Sequence, residues 1–233
     1  MTDPDAPRLT RRELRKRANP LRAAAGANAD TPIDHANVPR VLMVCTGNVC
    51  RSPMAEAVLR ARLGATALRI HSAGTRALVG KEMPADAKAL ALAHGASPDD
   101  VAAHRARWLL EPIAEDADLI LAMSREHRTT AVELAPHRLR QTFTVREFAR
   151  LSGSLSESRI REAADAAGSS PRPRLAAVIA LIAQQRGTTG PALQDDDEVI
   201  DPYRRSRETY EKSAAQLVPA IDEVARVLRI LAG

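Results

Sequence analysis

Val41-Leu42-Met43-Val44-Cys45-Thr46-Gly47-Asn48-Val49-Cys50-Arg51-Ser52-Pro53 is the stretch on which the fold turns. Four consecutive apolar residues bounded by turn formers read as a strand buried on both faces. Ser52 is a favoured helix cap and Pro53 is favoured at a first helical position, so a helix is expected over Pro53–Leu63. Between them lies a short polar loop holding both cysteines of the chain. A buried strand that runs through a tight loop into a helix is the unit of a parallel α/β sheet.

The loop has the composition of an anion cradle. Backbone N–H groups in such a loop point inward, and the helix N-terminus adds partial positive charge. Gly47 and Asn48 are the residues best able to take left-handed dihedrals. Arg51 offers a planar fork to two phosphate oxygens. Cys45 stands at the mouth, where the same field favours the thiolate, and the Ser52 hydroxyl is placed to donate to its sulfur. The arrangement aims a nucleophile at the centre of a bound oxyanion. It is not a Walker loop, because no Gly-Lys-Ser/Thr follows.

Working outward, apolar runs alternate with amphipathic segments. Strands are expected at Leu68–His71, Leu119–Met123 and Thr142–Val145. Helices are expected at Ala85–Ala93, Arg107–Glu115, Arg125–Leu134 and from about Arg207 to Leu231. This predicts a four-stranded parallel sheet with helices on both faces, whose ligands bind at the carboxyl ends of the strands. Residues 1–38 are polar, Arg-rich and broken by Pro7, Pro20, Gly26 and Pro32, and read as a flexible basic arm. Residues 39–233 form the main unit. Its rhythm is interrupted at about 152–197 by a Ser-, Gly- and Pro-rich stretch with one apolar segment, Leu175–Ile182. That stretch is too long for a loop and reads as an insertion with one or two short helices.

Composition narrows the class. Hydrophobic residues make up 45% of the 233 but aromatics only 2%, so the core rests on Ala, Leu, Val and Ile. No run of about 18 apolar residues offers a membrane span. Arg11-Arg12 is followed by more charge rather than by an apolar export segment. A cytoplasmic setting follows, in which two cysteines are thiols rather than a disulfide framework. The net charge of +5 comes without stacking aromatics or a DNA-reading motif, so it points to an anionic substrate and not to nucleic acid. The six histidines show no metal-ligand spacing.

The string C-T-G-N-V-C-R-S-P resembles the loop of the low-molecular-weight protein tyrosine phosphatase family. His71-Ser72-Ala73-Gly74-Thr75 looks like that family's second strand and the residues after it. His104-Arg105-Ala106-Arg107 matches an H-x-A-R element, and Ala117–Met123 the third strand. Ile200-Asp201-Pro202-Tyr203-Arg204-Arg205-Ser206-Arg207-Glu208-Thr209-Tyr210 resembles the loop carrying the general acid, in the form of bacterial members linked to capsule and exopolysaccharide production. Ala77–Lys81 is similar to the same subgroup. The resemblance covers about 39–151 and 198–231.

The resemblance implies a three-layer α/β fold and a two-step hydrolysis through a cysteinyl phosphate, without metal or cofactor. Cys45 would be the nucleophile and Asp201 the general acid and then base. Arg51 with Thr46, Gly47, Asn48, Val49, Cys50 and Ser52 would hold the phosphate. Leu78, Tyr203 and Arg204 would line the cleft, and Ser72 and Thr75 would brace the loop. His104 and Trp108 read as structural. Cys50 has two readings, a partner for a reversible disulfide with Cys45 or a small buried side chain. The implied partner is a phosphotyrosine protein, in this subgroup the tyrosine-rich tail of a bacterial kinase controlling polysaccharide export. Three roles are open to the insertion: a lid over the cleft, a homodimer contact or a docking element. Phosphatases of small aryl or sugar phosphates are the alternative, because Leu78 and Arg204 replace aromatics of eukaryotic relatives. A thioredoxin-coupled arsenate reductase needs cysteines downstream of the loop, and none follows Cys50. A non-catalytic phosphate-binding adaptor would lack Cys45, Arg51 or Asp201.

Overall fold

The computed structural model describes residues 37–188 and 197–232. The expected N-terminal arm lies almost wholly outside the described residues, as does the end of the insertion at 189–196. Four strands, β1 (Arg40–Cys45), β2 (Arg69–Gly74), β3 (Leu119–Ala122) and β4 (Thr142–Thr144), form one parallel sheet in the order β2-β1-β3-β4. The helices are α1 (Arg51–Leu63), α2 (Ala85–Ala93), α3 (Pro98–Ala103), α4 (Glu111–Asp116), α5 (Arg125–Leu134), α6 (Val145–Gly153), α7 (Glu157–Ala166), α8 (Pro171–Gln184) and α9 (Arg207–Ala232).

Strand alternation divides the core into two layers. Val41, Met43 and Cys45 of β1, with Leu119 and Leu121 of β3, join a cluster that includes residues of α1, α6, α7, α8 and α9. Leu42 and Val44, with Ile120, face the other side, with Ala114 of α4 and Ala131 and Leu134 of α5. Val41–Val44 have no accessible surface, and each such burial is worth roughly 1.5–3 kcal/mol. The three-layer expectation therefore holds, with the thicker layer on the α1 side.

Several elements differ from the sequence reading, each for a local reason. α1 begins at Arg51, so Ser52 is inside the helix and does not cap it; Cys50 is the N-cap and offers no side-chain bond. Arg107–Glu115 is not one helix. Gly74 N–H donates to Arg107 O and Leu109 N–H donates to Gly74 O, which draws residues 107–109 into a short extended pairing beside β2. Helix α4 starts only at Glu111, with Pro112 in its first turn. A further helix, α3, is capped by Ser97, whose hydroxyl accepts from Asp99 N. β4 stops at Thr144, which opens α6 through a reciprocal box: Glu147 N–H donates to Thr144 Oγ1, and Thr144 N–H donates to Glu147.

The insertion is helical and packed. Ile160 and Ala164 of α7 and Leu175, Val178, Ile179 and Ile182 of α8 are buried. These helices pack on each other and on α9, and α8 packs also on α6 and on the turn Pro136–Gln141. Arg172 at the start of α8 grips the Asp118 carboxylate ahead of β3, and Arg186 beyond its end reaches Glu147 and Thr142 O. The described part of this stretch thus braces the β4 flank, and Asp197, at its end, lies next to the segment that carries Asp201.

Guanidinium groups also occupy carbonyls of both outer strands. On β2, Arg60 donates to Ile70 O and Arg107 to Ser72 O. On β4, Thr142 O accepts from both Arg128 and Arg186.

Candidate active site

The carboxyl ends of β1 and β3 converge where the chain order leaves a crevice between a strand pair leading left and one leading right. Residues 45–51 fill that crevice as a loop laid directly on Gly74. A Cβ at Gly74 would meet Thr46 O at 2.5 Å and Asn48 N at 2.9 Å, so the close approach requires glycine. Thr75 N–H donates to Cys45 O and Arg76 N–H to Thr46 O, each at 2.9 Å. Thr75 therefore braces the loop through its backbone.

Asn48 is the structural centre of the loop. It is fully buried and sits in the left-handed region at φ 55°, whereas Gly47 does not take a positive φ. Its Nδ2 donates to Ser52 Oγ at 3.0 Å and to Ser72 Oγ at 2.8 Å, and its Oδ1 accepts from Arg107 N at 2.9 Å. Its carbonyl lies 2.7 Å from His104 Nε2, which must donate. Burial lowers the His104 pKa, with that carbonyl bond acting in the opposite direction. His104 thus holds the Asn48 carbonyl and Ser72 Oγ its side-chain amide.

These supports fix what surrounds the sulfur. Asn48 N–H donates to Cys45 Sγ at 3.3 Å, and Ser52 Oγ lies 3.0 Å away. Ser52 already accepts from Asn48, which leaves its hydroxyl hydrogen for the sulfur. Two donors thus converge on one sulfur. Val49 and Cys50 are buried behind the loop. Burial pushes the Cys50 thiol up to about 12, opposed by its contact with Tyr210 Oη at 3.7 Å, so Cys50 stays protonated near neutrality.

Arg51 is 4% exposed, and its guanidinium is held by three groups. Its Nη1 donates to Val199 O at 3.1 Å, and its Nη2 to Thr46 Oγ1 at 3.3 Å. Nη2 also pairs with Asp201 Oδ2 at 2.6 Å. Its Nε is buried with no hydrogen-bond partner among the described residues, a donor available to an anion. Asp201 is half exposed, and its other oxygen accepts from Tyr203 N at 3.2 Å. Arg204, at φ 58°, lays its guanidinium over the Tyr203 ring at 5.3 Å, and Leu78 packs by Gly47. Cys45, Arg51 and Asp201, up to 156 positions apart, are thus brought to one site.

Two supports lie outside the sequence expectation. His127 Nε2 is 2.8 Å from Thr46 Oγ1, and its Nδ1 is 2.8 Å from Ser124 Oγ. Burial, followed by Arg51 and Arg76, lowers its pKa to about 3, so it is neutral and one ring nitrogen accepts while the other donates. The available signal was position: Ser124-x-x-His127 opens the helix directly after the carboxyl end of a central strand. Val199, the second, gave no side-chain signal because its carbonyl holds Arg51. Among the described residues no cluster of His, Cys, Asp or Glu could hold a metal ion, and no helix is long and apolar enough to cross a membrane.

The family model for low molecular weight phosphotyrosine protein phosphatase matches residues 40–184, more than half of the chain. The chain belongs to that family. Among curated relatives of this phosphatase family it is 44% identical over 98 residues to the low molecular weight protein-tyrosine-phosphatase Etp of Escherichia coli (strain K12). That match covers 41% of this chain and 62% of Etp. It is 38% identical over 109 residues to a protein-arginine-phosphatase of Geobacillus stearothermophilus, covering 47% and 70%. The crystal structure of the Erwinia amylovora tyrosine phosphatase AmsI superposes with a TM-score of 0.54 at 26% identity, over 80% of this chain and 90% of that one. The chain thus spans less than two thirds of the length of Etp.

Proposed function

We propose that this protein is a phosphatase of phosphotyrosine in proteins, working through a cysteinyl phosphate. The observation that carries the reading is the buried Arg51 with an unpartnered Nε, set between the doubly hydrogen-bonded Cys45 sulfur and the Asp201 carboxylate. A phosphate seated in the loop takes over the guanidinium and frees Asp201 to face the leaving oxygen. Cys45 thiolate attacks phosphorus in line, the bond to the phenolic oxygen breaks, and Asp201 supplies the proton. Water then attacks the cysteinyl phosphate, Asp201 takes its proton, and the thiolate returns. Arg51 and the loop amides hold the equatorial oxygens, where charge gathers.

The arginine phosphatase among the relatives raises a second substrate, phosphoarginine. Charge at the mouth argues against it. Arg204 lies over the Tyr203 ring, the Glu126 carboxylate is paired with Arg76, and Asp201 is engaged by Arg51, so neither of these carboxylates is left over for a cationic group. A cationic leaving group would meet like charge, whereas a neutral phenol and acidic flanking residues would not. By the resemblance of residues 200–210 and 77–81, the partner is the tyrosine-rich tail of a bacterial kinase controlling polysaccharide export. Cys50 enters this reading as the thiol that closes on Cys45 after peroxide has oxidised it to a sulfenic acid, releasing water. Thiol-reversible inactivation that Cys50→Ser renders permanent is the outcome expected.

Steady-state hydrolysis of phosphotyrosine, phosphoserine and phosphoarginine peptides tests the main reading. Wild type turns over only the first, Cys45→Ser is inactive, and Asp201→Ala is slower by roughly 10²–10⁴-fold. Turnover of phosphoarginine alone would move the protein to the second substrate class. Turnover of small aryl phosphates without any peptide would remove the protein substrate but keep the chemistry.

A further inference from the structure

Asp201 is half exposed, and besides pairing with Arg51 it accepts from Tyr203 N within its own loop. Its location is set by the chain just before it. Val199 N–H donates to Met123 O at 2.9 Å and its side chain is buried; Ile200 N–H donates to Gln216 Oε1 at 2.9 Å. One step further back, Glu198 and Asp197 are held by arginines of α5 and α6. Glu198 O accepts from Arg146 Nη1 at 2.8 Å, and Glu198 Oε1 from Arg125 N at 3.2 Å. The Asp197 carboxylate is buried at 6% exposure in the fork of Arg150, with Nε at 3.3 Å and Nη2 at 3.2 Å, and Arg125 Nη2 stands 3.7 Å away.

Arg146 and Arg150 are four positions apart on α6, which follows β4, while Arg125 opens α5, which follows β3. The clamp therefore ties the segment carrying Asp201 to the two helices that leave the sheet on the site's side. We propose that Asp197 is a positioning residue for catalysis: its fork with Arg150 and Arg125 sets where Asp201 meets the leaving group. Nothing in the clamp touches phosphate. It acts through four residues of chain, and a shift of about 1 Å at a proton donor can cost about a hundredfold in rate. The proposal rests on the reading of Asp201 as that donor.

Proton donation matters most when the leaving oxygen is a poor leaving group. The test compares kcat on phenyl phosphate with kcat on p-nitrophenyl phosphate in the full chain. In Asp201→Asn this ratio falls by about 10²-fold or more. In Asp197→Asn it falls by about tenfold or more, with KM little changed, and in Arg150→Lys, which keeps charge but loses the fork, it falls part of the way. Asp118→Asn removes the comparable Asp118–Arg172 fork at the other end of β3 and serves as the control, losing stability with the ratio unchanged. If Asp197→Asn and Arg150→Lys melt earlier but keep the wild-type ratio, the clamp is purely structural and the proposal falls. If Asp197→Asn does not fold, Arg150→Lys alone decides by the same criterion. A wild-type ratio in Asp201→Asn would instead overturn the assignment of the proton donor, a separate failure.

Discussion

His127 shows how one buried side chain ties the site to stability. It is 3% exposed and its pKa is lowered to about 3 by burial, with Arg51 and Arg76 adding to the effect. The unfolded chain would bind its proton near the ordinary value of about 6.5, so below that pH the unfolded state holds more protons than the native state. Stability attributable to His127 is therefore complete above about 6.5 and is lost as the pH falls toward 3, at up to about 1.4 kcal/mol per pH unit. His71, also lowered to about 3 chiefly by burial, has the same sign. The expected outcome is that His127→Gln is less stable than wild type at pH 7 but declines less steeply between pH 6 and pH 4. Urea denaturation at each pH measures this, and parallel curves would contradict it. Asn48 is the contrasting case at this scale. It carries no charge, yet its amide, its backbone and its left-handed conformation hold Ser52, Ser72, Arg107, His104 and Cys45 in one arrangement.

At the scale of elements, α7 and α8 contribute packing. Leu175 is fully buried among α7, α6 and α9, and Leu175→Ala should cost about 2–5 kcal/mol, read from urea midpoints. Below the melting range the variant keeps the wild-type kcat/KM; a tenfold loss would mean that the insertion shapes the cleft. How much of this architecture is legible in sequence depends on whether the partner is local. β1, its loop, α5 and α9 are readable because an apolar run or a 3.6 period lies within the segment itself. The start of α6 is equally readable, since Thr144-x-x-Glu147 is a capping box before an apolar stretch, but a pattern search that ends the rhythm at Leu151 passes over it. Arg107–Glu115 suggests one helix and is not one, because its first residues pair with Gly74, more than thirty positions upstream. The site divides the same way. Cys45, Arg51 and Asp201 are readable as chemistry on flanking motifs. Val199, which acts through a carbonyl, and Asp197, one acid in the run Asp195–Glu198, acquire their surroundings only when β3, β4 and the segment before Asp201 meet.

For the molecule as a whole, arginine is the dominant charged residue, and its placement has two effects. Near the site, Arg51 and Arg76 are paired with Asp201 and Glu126 while Arg204 lies over Tyr203, within a chain of net charge +5, so the acidic phosphopeptide proposed above would be drawn in by a field longer than any contact. Raising ionic strength from about 0.01 M to about 1 M shortens the screening length from about 30 Å to about 3 Å. Across that range kcat/KM for an acidic phosphopeptide should fall by about tenfold while kcat holds. Steady-state kinetics in sodium chloride checks this, and a flat response would mean that encounter is not steered. Elsewhere the same side chain does quieter work. Arg60 and Arg107 on Ile70 and Ser72, and Arg128 and Arg186 on Thr142, occupy the acceptors that an incoming foreign strand would seek. Guanidinium does not shed its proton at any pH a cell or a purification buffer reaches. Acid that charges His127 therefore leaves these four guanidinium donors charged, so the covering of the two outer strands does not itself titrate away.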